Sequence, residues 1–144
     1  MKCPAAGILG IVATSILISN GAAADLSAYR WKNRILVVNT TLDQVKTISQ
    51  ALHQERSGIV DRDLIVIDLS RHSKQLPGAV RPPSETRDSL RSRYGLSSTP
   101  RNEFVLIGKD GGIKARQTGT LKLDQFFALI DTMPMRQEEM RAKR

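Results

Sequence analysis

The residues in this sequence best suited to chemistry are cations around a glycine-rich turn. Lys109 stands within Gly108-Lys109-Asp110-Gly111-Gly112, and Lys114 and Arg116 follow two residues apart. In a regular strand that spacing puts Lys114 and Arg116 on one face. Arg62 and Arg136 lie elsewhere in the chain, each beside carboxylates. Guanidinium forks suit carboxylate or phosphate, and ammonium groups bind the same anions more loosely. The expected ligand-binding set is therefore Lys109, Asp110, Lys114, Arg116, Arg62 and Arg136, facing an anionic ligand. Each also has a plainer role, as a solvated charge or as half of an ion pair such as Asp110 with Lys109 or Asp131 with Arg136. Asp110, Gly111 and Gly112 are most simply turn formers.

Catalytic arrangements are thinner. Thr40 and Thr41 offer hydroxyls with Asp43 nearby, but a hydroxyl nucleophile needs a tuned base within hydrogen-bond reach. No histidine is placed in sequence to serve the pair, and a capping role for Thr41 is favoured. The two histidines, His53 and His72, form no His-x-x-x-His or His/Asp cluster, so neither a metal site nor a cofactor is expected. Asp61, Asp63 and Asp68 surround one apolar run and could hold a divalent ion, yet Arg62 between the first two argues for a neutralised cluster. Met133-Pro134-Met135 is a third possibility, as an adaptable contact for a partner protein, with core filling the plainer role.

The balance of 22 basic to 14 acidic residues gives a net charge of +8. That sign favours acidic partners or simply solubility. Aromatic residues are few and do not interleave with arginines, which argues against specific nucleic-acid binding. Lys2, the apolar stretch from Ala5 to Ile18 and Ala22-Ala23-Ala24 resemble a secretory leader cleaved after Ala24. An uncleaved anchor is the alternative. The mature chain would run from Asp25 to Arg144 as one domain with a charged tail over 135–144, no transmembrane segment and a periplasmic or secreted location. The single cysteine, Cys3, would leave with the leader. That removes thiol chemistry and disulfides from the mature protein.

Ile35-Leu36-Val37-Val38 and Leu64-Ile65-Val66-Ile67 are continuous apolar runs, as in strands covered on both faces. Leu42, Val45, Ile48 and Leu52 recur at helical spacing between them. Thr41 and Gln44 are expected to form a capping box, and Ser57-Gly58 to stop the helix. The strand–helix–strand order implies a parallel pair with a right-handed crossover. Ser70 to Pro83 reads as an irregular surface loop. Ser84 caps a helix over Glu85–Tyr94, ended by Gly95. Glu103 to Gln117 reads as a hairpin turned by Asp-Gly. Leu123, Phe126, Phe127, Ile130 and Met133 then mark the strongest amphipathic helix. Trp31 is read as a lid over the first strand, with stacking on a ligand as the alternative.

This order, β-α-β, then α, then a hairpin and a closing helix, is the thioredoxin-like α/β arrangement, a mixed sheet flanked by helices. Trp31-Lys32-Asn33-Arg34, Asp61-Arg62-Asp63-Leu64, Gly108-Lys109-Asp110-Gly111-Gly112-Ile113-Lys114 and Ile130-Asp131-Thr132-Met133-Pro134-Met135-Arg136 resemble the domain-of-unknown-function-4174 family. That family occurs in exported bacterial proteins and is similar to a domain of animal extracellular-matrix proteins that carry sushi repeats. The resemblance implies a thioredoxin-like fold outside the cytoplasm and no established activity. Active thioredoxins carry their redox pair just after the first strand, where a helix N-terminus lowers the thiol pKa. Here that place reads Asn39-Thr40-Thr41-Leu42-Asp43-Gln44. The expectation is a non-catalytic binding or structural module, partnered by an anionic ligand or an envelope protein. A non-thiol enzyme at Thr40 and Thr41, or an adaptor working through the tail, are the alternatives. Pro100 falls about three residues short of the place of the thioredoxin cis-proline, and the sequence alone does not decide its isomer.

Overall fold

The computed structural model describes residues 26–144. The expected leader and its cleavage point lie outside them. Four strands form one mixed sheet in the order β2-β1-β3-β4: β1 (Arg34–Asn39), β2 (Leu64–Asp68), β3 (Glu103–Ile107) and β4 (Ile113–Thr118). β1 pairs parallel with β2 and antiparallel with β3, and β3 pairs antiparallel with β4. β1 is therefore central, and its six residues are all buried.

Alternation along the strands divides the core in two. Leu36, Val38, Leu64, Val66, Phe104 and Leu106 face helices α1 (Val45–Gln54) and α4 (Leu123–Asp131), meeting Ile48, Leu52, Phe126 and Ile130. Ile35, Val37, Ile67, Val105 and Ile107 face the other way, toward Leu90, Tyr94 and Leu96 on and just after α3 (Ser84–Arg93). The amphipathic spacing of each helix thus selects its side of the sheet. Gly95, at φ +64, turns the chain after α3, and Leu96 N–H reaches back to the Arg91 carbonyl at 2.8 Å, satisfying an otherwise orphan acceptor.

Several local expectations are corrected. Thr41 makes no side-chain cap. Leu42–Gln44 is a 3-10 turn leading into α1, the Thr41 hydroxyl is engaged by Asn102, and the Gln44 amide bonds Asp43. Gly58 does not stop the first helix. α1 ends at Gln54, and Gly58 lies inside a second short helix, α2 (Arg56–Asp61). Its hydrogen faces the Phe127 ring, which a Cβ would meet at 2.7 Å. The cap of α3 is Pro83, without a side-chain bond. Trp31 is 61% exposed, at φ +66, with its backbone N–H donating to the Lys109 carbonyl at 2.6 Å; its ring lies against the Arg30 guanidinium, 5.4 Å away, and is no buried lid over β1.

The loop over 70–83 is tied down by a buried charge. The Asp68 carboxylate, fully buried, accepts from the Ser70 N–H at 2.9 Å and from Arg81 at 3.1 Å. Arg81 also donates to the carbonyls of Lys74, Ser70 and His72. Burial of Leu76 and Ala79 completes the anchorage. The tail is helical, α5 (Pro134–Ala142), with Pro134 in the first turn, where a missing N–H costs nothing.

Candidate functional site

The expected binding residues separate into two groups. Arg62, Lys109 and Arg136 meet at the end of the sheet where β1 and β2 begin, inside an ion-pair network that docks α5. Arg34, only 1% exposed, gives both guanidinium nitrogens to Glu139, at 3.1 and 3.2 Å. Lys109 Nζ donates to the same carboxylate at 2.7 Å and to Asp63 at 2.8 Å. Arg62 forks onto Asp131 at 3.0 and 2.6 Å, with its guanidinium 4.4 Å from the Phe127 ring centre. Arg136 bonds Asp131 at 3.1 Å and also Asp61. The pairing of Asp131 with Arg136 is the plainer role foreseen for them; Lys109 pairs with Asp63 and Glu139 rather than Asp110.

Burial pushes the Glu139 carboxyl up, but the bonds from Arg34 and Lys109 outweigh it and hold the pKa below the ordinary range. Asp131 behaves alike, burial being overcome by Arg62 and Arg136. Two charges central to this network, Arg34 and Glu139, are not singled out by the sequence, and Asp63 enters there only as a possible metal ligand. The one available signal was Arg34 standing directly against an apolar strand.

The second group stays at the hairpin. Lys114 pairs with Asp110 at 2.7 Å, and Asp110 also accepts the Gly112 N–H at 3.0 Å. These bonds, Lys114 first, lower its pKa. Arg116 faces the α3 side, its guanidinium 3.7 Å from where a Gly95 Cβ would stand. Beside the turn lies a cavity of about 370 Å³ lined by Arg30, Arg93, Tyr94, Asn33, Asp110 and the Gly108–Gly112 backbone, among others. Gly111, at φ +85, has the Arg30 side chain 3.6 Å from the position of a Cβ. Arg30, Arg93 and Arg116 form no ion pair among the described residues. Neither Arg30 nor Arg93 was foreseen, because their positions are adjacent only in the fold.

At the opposite end of β1, Asn102 Oδ1 accepts from the Thr40 hydroxyl at 2.8 Å, the Thr41 N–H at 3.1 Å and the Thr41 hydroxyl at 3.2 Å. The Thr40 hydroxyl, donating to an amide oxygen, is not being activated by a base, and the Thr41 hydroxyl is shared between Asn102 and Asp43. Asp43 is bonded by Thr41 and then Gln44, which lower its pKa and make it a weaker base. His53 lies far along α1, beside a groove described below. Both ring nitrogens of His72 are buried without a hydrogen-bond partner among the described residues. Among the described residues no group of three His, Cys, Asp or Glu is arranged to hold a metal. Asp61, Asp63 and Asp68 are each paired with a basic side chain. Met133 packs against the core, while Met135 is exposed.

A family model described as a domain of unknown function (DUF4174) matches residues 25–139. The chain belongs to the DUF4174 family. Solved structures similar to this DUF4174 chain include peroxiredoxins. The reduced 2-Cys peroxiredoxin of Plasmodium vivax is 16% identical over 78% of this chain and 72% of its own, with a TM-score of 0.60. The mitochondrial 2-Cys peroxiredoxin of Plasmodium falciparum is 10% identical over 74% and 79%, at 0.55. Thioredoxin peroxidase I of Plasmodium yoelii is 17% identical over 78% and 79%, at 0.55. At these identities the likeness is one of fold. No curated protein matches. The DUF4174 chain has the thioredoxin-like fold with a single cysteine, Cys3, while its described β1 end carries the Thr40–Thr41–Asn102 cluster.

Proposed function

We propose that this DUF4174 protein is an exported, non-catalytic module that binds an anionic group at its hairpin. Its leader would be residues 1–24, cleaved to leave one domain from Asp25. The observation that carries the binding site is the cavity beside the turn, which Arg30 and Arg93 both line without an ion-pair partner among the described residues. Guanidiniums bordering one small space suit an anion of phosphate or sulfate type, to which each can donate bidentately. Lys114 and Arg116 extend the positive surface along β4. Lys109, Arg62 and Arg136, already matched to carboxylates, hold the end of the sheet on which the turn stands.

The test is thermal shift of the protein with inorganic phosphate, sulfate and a sulfated glycan, beside an Arg30→Ser/Arg93→Ser variant. A saturable rise in melting temperature, weakened by added salt and lost in the variant, is expected. No rise in the wild type, or an equal rise in the variant, overturns the site. Export is tested separately, by N-terminal sequencing of the protein recovered outside the cytoplasm. Asp25 should come first, and an intact Met1 on the recovered protein would refute cleavage.

A further inference from the structure

The outer edge of β2 is half covered, and its open half forms one wall of the larger groove of this molecule. The ladder fixes which groups face outward. Asp63 C=O accepts from Arg34 N–H at 2.9 Å, and Leu69 N–H donates to Val38 C=O at 2.8 Å. Odd-numbered residues of β2 thus turn their backbone groups to β1, and Leu64, Val66 and Asp68 turn theirs outward. Val80 bridges this edge in parallel: its C=O takes the Asp68 N–H and its N–H reaches the Val66 C=O, both at 2.9 Å. Upstream of Val80 the chain leaves the edge. Leu76-Pro77-Gly78-Ala79 makes a turn closed by an Ala79 N–H to Leu76 C=O bond at 3.2 Å, with Gly78 at φ +77. Proline then glycine is the sequence that a type II turn requires. The Leu64 N–H, the Leu64 C=O and the Val66 N–H are left with no partner among the described residues.

Those groups border a cavity of about 1000 Å³ between α1, α2 and the Pro77–Val80 segment. Its lining is largely apolar, with Val60 and Val80 both exposed. Lys46, Arg56 and Lys74 line it, and no Asp or Glu does. None of the three cations is in an ion pair among the described residues. An open strand edge supplies register, an apolar trough holds alternate side chains, and an all-cationic rim selects the sign of the rest.

We propose that this edge and groove bind an extended peptide segment of a partner protein, with apolar and acidic residues in alternation, added as a strand along Leu64–Val66 upstream of Val80. The site lies on β2, with a lining wholly distinct from that of the Arg30–Arg93 cavity beside the β3–β4 turn, so either can fail alone. The probe is a labelled, capped Glu-Val-Glu-Val-Glu-Val-Glu peptide, read by fluorescence anisotropy and by amide exchange of the full chain.

Binding should slow exchange at Leu64 and Val66. It should weaken about tenfold or more in a Lys46→Glu/Arg56→Glu/Lys74→Glu variant, since rim charge of the wrong sign opposes the ligand. These three side chains are exposed, so the variant should fold, checked by an unchanged melting temperature. Alternate N-methylation of the peptide, which removes backbone donors and keeps the side chains, should abolish binding without touching the protein. Arg30→Ser/Arg93→Ser should bind as wild type. No binding, equal binding of the N-methylated or a Lys-for-Glu peptide, or ready displacement by dodecanoate would overturn the proposal, the last pointing to an acyl-chain ligand.

Discussion

At the scale of single residues, Glu139 has the most to answer for. It is 21% exposed and faces a guanidinium that is almost wholly out of water. Removing one member of such a pair leaves a buried charge without compensation, which costs about 3–5 kcal/mol. Glu139→Leu should therefore lower unfolding stability by about 3 kcal/mol, at the lower end because Lys109 keeps Asp63. Arg34→Met/Glu139→Leu together should recover most of that loss, since the desolvated charge goes with its partner. Urea denaturation of the three proteins decides it; a double variant as unstable as the single one would assign the cost to packing instead. Side-chain types pointed to Arg62, Lys109 and Arg136 as cations of interest. They did not reveal that carboxylates up to 75 residues away in sequence neutralise them. A charge with no local partner looks free in a sequence, and only the fold shows that Arg62, Lys109 and Arg136 are paired with carboxylates while Arg30 and Arg93, among the described residues, are not.

Elements were legible wherever burial sets the pattern. The continuous runs of β1 and β2, the hairpin and the Leu123–Ile130 face of α4 follow from period and length alone. Ends were less so, because the same residue type serves different ends. Gly58 illustrates this: glycine after Ser57 reads as a stop, yet it sits in α2 because Phe127 needs the space a Cβ would fill. The Phe127 ring is fixed in turn by the Arg62 guanidinium above it. In an exposed helix Gly→Ala stabilises by about 0.5–1 kcal/mol. Here Gly58→Ala should instead destabilise, by about 1–3 kcal/mol, the usual cost of overpacking. Gly58→Ala/Phe127→Leu should relieve part of it. Chemical denaturation of the two variants reads the sign directly, and a Gly58→Ala protein more stable than wild type would show that α2 shifts freely. The Thr41 cap failed for a related reason: its hydroxyl is claimed by Asn102, 61 residues on, a competitor that no local motif displays.

Across the whole molecule, carboxylates and cations are unevenly matched. The α5 end concentrates Asp61, Asp63, Asp131 and Glu139 against five basic side chains, leaving other cations to face the hairpin cavity and the β2 groove. The net charge of +8 announced an excess of cations but not where it falls. This division makes acid stability a property of one end of the sheet. The folded pKa values of Glu139, Asp131 and Asp61 all lie below their ordinary values of 4.5, 3.8 and 3.8. A depressed carboxyl stabilises the fold fully above its unfolded pKa, and that contribution is lost as pH falls through the folded one. Asp61 is largely exposed and adds little once screened by water, so Glu139 and Asp131 should dominate. The melting temperature should hold steady from neutral pH down to about 4.5 and then fall steadily. α5 should become protease-sensitive before the central strand does, because its docking depends on these pairs. Glu139→Gln should melt lower at neutral pH yet lose less on acidification, so that the two curves converge once the pH has fallen through the folded pKa of Glu139 and the wild-type carboxyl is also protonated. Parallel curves at every pH would mean that the Glu139 charge is not what fastens α5 to the sheet.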